Sequence, residues 1–381
     1  MSKIKLAVIF GGMSTEHDVS IVSGTSIIKN LNQEKYEIYP IYINKQGNWH
    51  KYLKNINEIG DIEVGNQIKE IQQLENPITY LKQMDCIFPV LHGLYGEDGT
   101  IQGLFELLKI PYVGCKVLAS SLSMDKAYTK IIFEKVGLKQ APYIYIRADK
   151  GKYHYIKKDF TEEICTLEQV SQKIEEKLKY PMFIKPSNSG SSVGIRKAKN
   201  TKELQEAIEY ARKYDKKILI EQGIDGREVE CAVLGNEEPI ASCVGEVLSA
   251  EEFYSFDSKY KNQQSRTQIP ANLSKEITEE IRNQAIKVFK AVNGSGLSRV
   301  DFFIEKGTNQ VIINEINTMP GFTQISMYPK LFEASGILCP QLLDKIIELA
   351  MEWYYRIITR GIYEKNIRSN RDRKARDNKC R

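Results

Sequence analysis

Over its first 120 residues the chain alternates short apolar runs with polar loops and helical stretches, and few folds accommodate that rhythm. Residues 5–10 read as a buried strand that runs into Gly11-Gly12 and a polar loop over 13–18, with a helix to about Leu31. Residues 36–43 and 85–91 are further strands, the latter followed by a loop over 92–99 and a helix from Thr100. Strands that alternate with helices imply a parallel sheet, and ligands on such a sheet sit beyond the carboxyl ends of its strands. Both loops, 11–18 and 92–99, therefore belong to one ligand-facing edge. Residues 51–80 are polar and poorly periodic, which predicts a surface excursion.

The rhythm changes near residue 120. Ser123 is placed to cap a helix that ends at Gly137, and strand-like runs follow at 181–186, 193–199, 217–222 and 228–234, with a helix over 201–214 among them. Residues 246–272 lack periodicity, and structureless stretches of that length are commonly lids or binding loops. Ser274 opens an amphipathic helix with Ile277, Ile281, Ala285, Val288 and Val292 on one face. Strands over 298–305 and 310–317 come next, and the last helix spans about 341–357. The resulting class is α/β, with a parallel-sheet domain followed by α+β units. The expected divisions are 1–122, 123–222, 223–357 and a tail over 358–381.

Charge is distributed unevenly. Of 54 Lys+Arg and 49 Asp+Glu, eight basic and three acidic residues fall within 361–381, so the first 360 residues carry 46 of each sign. That balance argues against a general nucleic-acid surface. The seven cysteines lie at least twelve positions apart, which excludes Cys-x-x-Cys redox motifs and paired zinc ligands; buried thiols in a reducing compartment are expected. Apolar runs fall short of the roughly 18 residues of a membrane span. A cytoplasmic protein without membrane partners is the expectation.

The strand pair near residue 300 carries the most chemistry. Arg299, Asp301 and Phe303 share one face of the first strand; on strict alternation Val311, Ile313, Glu315 and Asn317 share one face of the second. If Gly307-Thr308-Asn309 closes the hairpin, Asp301 lies opposite Glu315 and Arg299 opposite Asn317. Carboxylates paired across a ladder repel. Either a hard cation with oxygen ligands from Asp301, Glu315 and Asn317 relieves the repulsion, as magnesium does beside nucleotide phosphates, or Arg299 neutralises one acid on a solvent-facing hairpin.

Five other segments bear on the same chemistry. Residues 185–194, Lys-Pro-Ser-Asn-Ser-Gly-Ser-Ser-Val-Gly, form a small polar loop that either cradles phosphate through successive N–H groups or simply turns a hairpin. It is not a Walker A loop, because its lysine precedes the loop and a strand follows it. Lys126 occupies a first helical turn, where the dipole disfavours a cation and a bound anion would offset this. Lys259 is either a lid cation or an exposed side chain. Glu16 and His92 sit in the two ligand-edge loops, each with an ordinary capping or hydrogen-bonding role as the alternative.

In order, the segments are Gly11-Gly-Met-Ser-Thr-Glu16-His-Asp, His92-Gly-Leu-Tyr-Gly-Glu-Asp-Gly, Ser123-Met-Asp-Lys126, the loop 185–194, Ser298-Arg299-Val-Asp301 and Asn314-Glu315-Ile-Asn317-Thr-Met-Pro-Gly321-Phe-Thr. This series resembles the D-alanine–D-alanine ligases of the ATP-grasp superfamily from about residue 3 to residue 350. The resemblance implies ATP-dependent joining of two D-alanines through an acyl phosphate, for peptidoglycan synthesis. It implies two magnesium or manganese ions on Asp301, Glu315 and Asn317. Lys126, Lys185 and Lys259, with Ser192 in the loop, would serve the phosphates, Glu221 and Ile224 the adenine, and Glu228 the ribose. Glu16 would hold the first ammonium, with Ser191 and Tyr260 closing the lid, and His92 would also face substrate. Arg299 and the Gly321 N–H would form an oxyanion hole, and Ser326 and Met327 would line the pocket of the second D-alanine.

Relatives are commonly homodimers. Two features depart from the family: Gly223, where relatives often carry a bulkier residue, and the basic tail. The competing expectations are a ligase that takes D-lactate or D-serine as second substrate, and a non-catalytic nucleotide-binding protein that acts through its tail.

Overall fold

A computed structural model describes residues 2–53, 56, 59, 68–248 and 266–355. Lys259, Tyr260, most of the expected lid 246–272 and the tail 358–381 lie outside the described residues.

The first unit comprises β1 (Ile4–Gly11), α1 (His17–Asn30), β2 (Tyr36–Ile43), β3 (Trp49–Tyr52), β4 (Ile71–Gln73), α2 (Pro77–Leu81), β5 (Cys86–Val90) and α3 (Thr100–Leu108). Its sheet runs β4-β3-β2-β1-β5, with β1 parallel to both β2 and β5. Strand β1 is buried on both faces, as a covered parallel strand must be. Leu6, Val8 and Phe10 join a core with α1, while Ala7 and Ile9 join another with Phe105 of α3. Because the chain winds outward from β1 in both directions, the loops after β1 and β5 meet at one crevice. The excursion predicted at 51–80 instead adds the antiparallel edge strands β3 and β4.

Helices α4 (Val117–Met124) and α5 (Lys126–Lys135) lead into the second unit. Ser123 closes the first of them and does not cap the second; that role belongs to Asp125, whose side chain accepts from the Tyr128 N–H. Then come β6 (Tyr143–Asp149), β7 (Lys152–Ile156), β8 (Glu162–Cys165), α6 (Leu167–Glu175), β9 (Met182–Pro186), β10 (Arg196–Ala198), α7 (Thr201–Ala211) and β11 (Lys217–Gln222). They form a six-stranded antiparallel sheet, β10-β9-β11-β6-β7-β8, with α6 and α7 packed on one face.

The third unit holds β12 (Gly226–Gly235), β13 (Ile240–Leu248), β14 (Arg266–Gln268), α8 (Lys275–Ala291), β15 (Gly296–Glu305), β16 (Val311–Asn317), α9 (Met327–Ala334) and α10 over 339–355. Its antiparallel sheet runs β14-β13-β12-β15-β16 and buries one face against α8, which Ser274 caps as predicted. Helix α9 packs on β12 and β13 across the sheet from α8, with Tyr328 Oη donating to Val233 O. Together with α10 it enters the core of the first unit, where Leu342, Leu343, Ile346 and Ile347 join Leu6, Val8 and Phe10.

The β15–β16 register pairs Arg299 with Asn317 and Asp301 with Glu315, as predicted, but by a different route. The turn is four residues, 306–309, with Ile304 opposite Val311 and a Glu305 N–H to Gln310 O bond of 3.0 Å. A bulge between Asp301 and Phe302 then leaves Asn314 as an extra residue and restores the pairing. Strict alternation fails there. Val311 and Ile313 enter the core beside α8, while Glu315 and Asn317 line the opposite face.

Candidate active site

The face of the second sheet away from α6 and α7 and the part of the third sheet's face that α9 leaves open bound one cleft, which the loops of the first unit close at the end. Its volume is about 1010 Å³, room for a nucleotide and small substrates together. Glu16, His92, Lys126, Lys185, Ser191, Ser192, Glu221, Ile224, Glu228, Arg299, Glu315, Asn317, Gly321, Ser326 and Met327 all line it. Asp301 is buried immediately behind Arg299.

One wall is cationic. Lys185 on β9 reaches Glu221 Oε2 at 2.6 Å, and Lys130 of α5, buried beneath, pairs with Oε1. Burial works to raise the Glu221 pKa, but Lys130 and Lys185 outweigh it and hold the carboxyl down to about 2. Lys126 opens α5, and its Nζ donates to Ser189 O at 2.5 Å, which ties the helix to the loop over 187–194. That loop crosses to the first unit, where Ser191 Oγ donates to Glu16 Oε1. Two glycines make the approach possible: a side chain at Gly93 or Gly190 would collide with the Glu16 carboxylate.

The other wall is acidic. Glu230, Asp301 and Glu315 stand in register on β12, β15 and β16. The Arg299 guanidinium donates to Asp301 Oδ1 and Oδ2 at 2.7 and 2.6 Å and reaches Glu230 at 2.9 Å. Burial would discharge this arginine, but Asp301 and Glu230 raise its pKa well above the ordinary value. Asn317 Nδ2 donates to Asp301 at 3.0 Å. Three acids against one arginine leave about two negative charges on this face.

The donor set of Asp301, Glu315 and Asn317 is all oxygen and suits a hard divalent ion. Among the described residues no three His, Cys, Asp or Glu side chains converge on one point. The protein alone thus offers a partial shell, of the kind that phosphate oxygens and water complete.

His92 is buried and braces the turn that carries Gly321. Its Nδ1 lies 3.0 Å from Met319 O, and its Nε2 lies 3.1 Å from Ser23 Oγ, which itself accepts from the Phe322 N–H. A neutral ring protonated on Nδ1 satisfies all three contacts, and burial lowers its pKa. Sequence reasoning missed Glu97, which accepts from the N–H groups of Gly93 and Met319 at 2.8 and 2.9 Å, as well as Glu230 and Lys130. The period-two relation of Glu228 to Glu230 was the available signal for one of them.

Among the described residues no helix is long and apolar enough to cross a membrane. Residues 5–115 match the family model for the D-ala D-ala ligase N-terminus, and residues 132–348 match that for the D-ala D-ala ligase C-terminus. A D-alanine–D-alanine ligase of Acetivibrio thermocellus is 50% identical, covering 92% of this chain and 97% of its own. That of Clostridium acetobutylicum is 49% identical over 91% and 98%. Among solved structures, the D-alanine–D-alanine ligase from Coxiella burnetii superposes with a TM-score of 0.79 at 34% identity, covering 97% of this chain and 100% of that one. The VanG D-Ala:D-Ser ligase from Enterococcus faecalis does so at 0.78 and 35%, covering 92% and 100%.

Proposed function

The chain belongs to the D-alanine–D-alanine ligase family, and from that premise we propose that this cleft joins two D-alanines at the expense of ATP, for peptidoglycan synthesis. The observation that carries the reading is the opposition of a lysine wall to a row of carboxylates anchored by Arg299. Lys126 and Lys185 hold the phosphates, with the N–H groups around Ser192 beside them. Glu221 and Ile224 at the end of β11 receive the base, and Glu228 takes the ribose hydroxyls.

Asp301, Glu315 and Asn317 would hold magnesium or manganese, which would supply positive charge against the phosphates; we assign two ions. Glu16, steadied by Ser191, binds the ammonium of the first D-alanine. Arg299 and the Gly321 N–H face the charge that develops on the attacked carbonyl, where preorganised donors have most effect. Ser326 and Met327 bind the second D-alanine; Lys259 is assigned to a phosphate and Tyr260 to the exclusion of water. A homodimer and a cytoplasmic location accompany the reading.

The test is ADP release with D-alanine as sole amino acid and L-alanine as control. Turnover confined to D-alanine is expected; equal rates with both, or none with either, would overturn the proposal. Likeness to a D-Ala:D-Ser ligase supports one rival reading. Product analysis with D-alanine, D-serine and D-lactate offered together separates the two, and a predominant D-alanyl-D-alanine product is expected.

A further inference from the structure

Glu221 carries a cation on each oxygen, and only one of the two cations faces the cleft. Its side chain is 5% exposed; Lys130, 3% exposed, covers Oε1 from α5, while Lys185, 16% exposed, lies 2.6 Å from Oε2. Lys185 and Glu221 line the cleft and Lys130 does not. An ammonium buried away from any ligand is costly, and an apolar side chain of similar length would pack α5 against β11 without that cost. The charge count suggests what the lysine accomplishes. With Lys130 the three groups sum to +1; without it they sum to zero, and Glu221 would consume the whole charge of Lys185.

We propose that Lys130 is a positioning residue for the nucleotide: it neutralises Glu221 from behind, so that Lys185 keeps its charge and its spare N–H donors for a phosphate oxygen in the cleft. The proposal rests on the nucleotide-binding part of the reading above. Glu221 stays ionised against its burial, with Lys130 and then Lys185 as the counter-charges responsible. Lys185 is held above the usual lysine range by Glu221 despite its own burial. The arrangement also leaves Lys185 free to pivot: if it leaves Glu221 for a phosphate, no uncompensated carboxylate remains.

The experiment is a double-mutant cycle on the full chain, reading ATP affinity by calorimetric titration with magnesium, and KM for ATP and kcat by ADP release. Lys130→Met is expected to weaken ATP binding about thirtyfold, the effect of one uncompensated charge some two side chains away in a partly screened site. Its kcat at saturating ATP should stay within about threefold. In the Glu221→Gln background, where nothing needs neutralising, the same change should alter ATP affinity less than about threefold.

Equal losses in both backgrounds, or a loss below about threefold in the single variant, would overturn the proposal. If Lys130→Met fails to fold, the double variant, in which neither the Lys130 nor the Glu221 charge is buried, decides the matter against Glu221→Gln alone. Equal affinities support the proposal and a tenfold gap rejects it. Should wild type bind ATP yet release no ADP with D-alanine, the ligase reading falls, and the titration still judges Lys130.

Discussion

Asp125 joins the two elements that carry the phosphate-facing lysines, and replacing it measures that joint. Ser187 Oγ donates to its Oδ1 at 2.6 Å, the Tyr128 N–H to the same atom at 3.3 Å, and Lys217 Nζ to Oδ2 at 2.5 Å. Asp125→Ala removes a helix cap of about 1 kcal/mol and a hydrogen bond to a charged acceptor of about 1.5–3 kcal/mol. It also removes an ion pair whose lysine is one-quarter exposed, discounted for solvent to at most about 1 kcal/mol. The three share one carboxylate and do not add in full, so a loss of about 3 kcal/mol is expected.

Asp125→Asn keeps an oxygen for the cap and for Ser187, and should lose about 1 kcal/mol. Because the Lys126 N–H bonds Ser187 O at 3.0 Å and Lys126 Nζ holds Ser189 O, loosening the joint misplaces the loop over 187–194. We expect KM for ATP to rise about tenfold in the alanine variant, equivalent to about 1.4 kcal/mol, and less than about threefold in the asparagine variant. Urea denaturation followed by circular dichroism, with ADP release at varied ATP, measures both. An alanine variant within about 0.5 kcal/mol of wild type, with normal KM for ATP, would refute the reasoning.

Glu315→Gln should leave thermal unfolding nearly unchanged while lowering ADP release at least about a hundredfold at physiological magnesium; turnover within about threefold of wild type would remove Glu315 from the ion's ligands. Asp301→Asn should match that loss and also destabilise the chain by about 2–3 kcal/mol, because Arg299 loses its bidentate partner. Ser191→Ala frees Glu16 from the loop and should raise KM for D-alanine about tenfold, and an unaltered D-alanine titration would contradict that link. Glu221 is held at about 2 in the folded chain, below the ordinary unfolded value of about 4.3. Its contribution to stability is therefore complete above pH ~4.3 and disappears as pH falls toward 2. Glu221→Gln should flatten the acid limb of the stability curve in that window, and an identical acid limb in the variant would show that the carboxylate is not held down.

What could be read from the chain alone follows from which interactions are local. The strand of residues 5–10 and the helix opened by Ser274 are set by short-range periodicity and capping, and both stand where their patterns put them. A three-residue turn without a bulge pairs Asp301 with Glu315; the four-residue turn and the Asn314 bulge each shift the register by one and cancel. A bulge has no single-residue signature, so the opposite facing of Ile313 and Glu315 was not legible. Strand β6 does alternate, with Ile144, Ile146 and Ala148 buried, but its outward tyrosines blur the polar–apolar contrast. Strands β7 and β8, at the sheet's edge, are short and mostly half-buried or exposed, with no clean alternation. Lys130 and Glu97 look like ordinary surface charges in sequence; only strand and loop neighbours distant in the chain reveal them as buried partners. Asp125 displaced Ser123 as the cap because two helices, not one, meet there.

The packing of α10 against β1 has a bearing on how the polypeptide is made. Lys35 and Tyr36 both bond Asp344, and the apolar side of the first sheet is covered by Leu342, Leu343 and Ile346. During synthesis that side of the sheet, which α1 covers only in part, remains incomplete until about 250 residues beyond β5 have left the ribosome. A fragment ending near residue 120 should consequently be insoluble when expressed by itself, and soluble when co-expressed with a piece supplying 320–355.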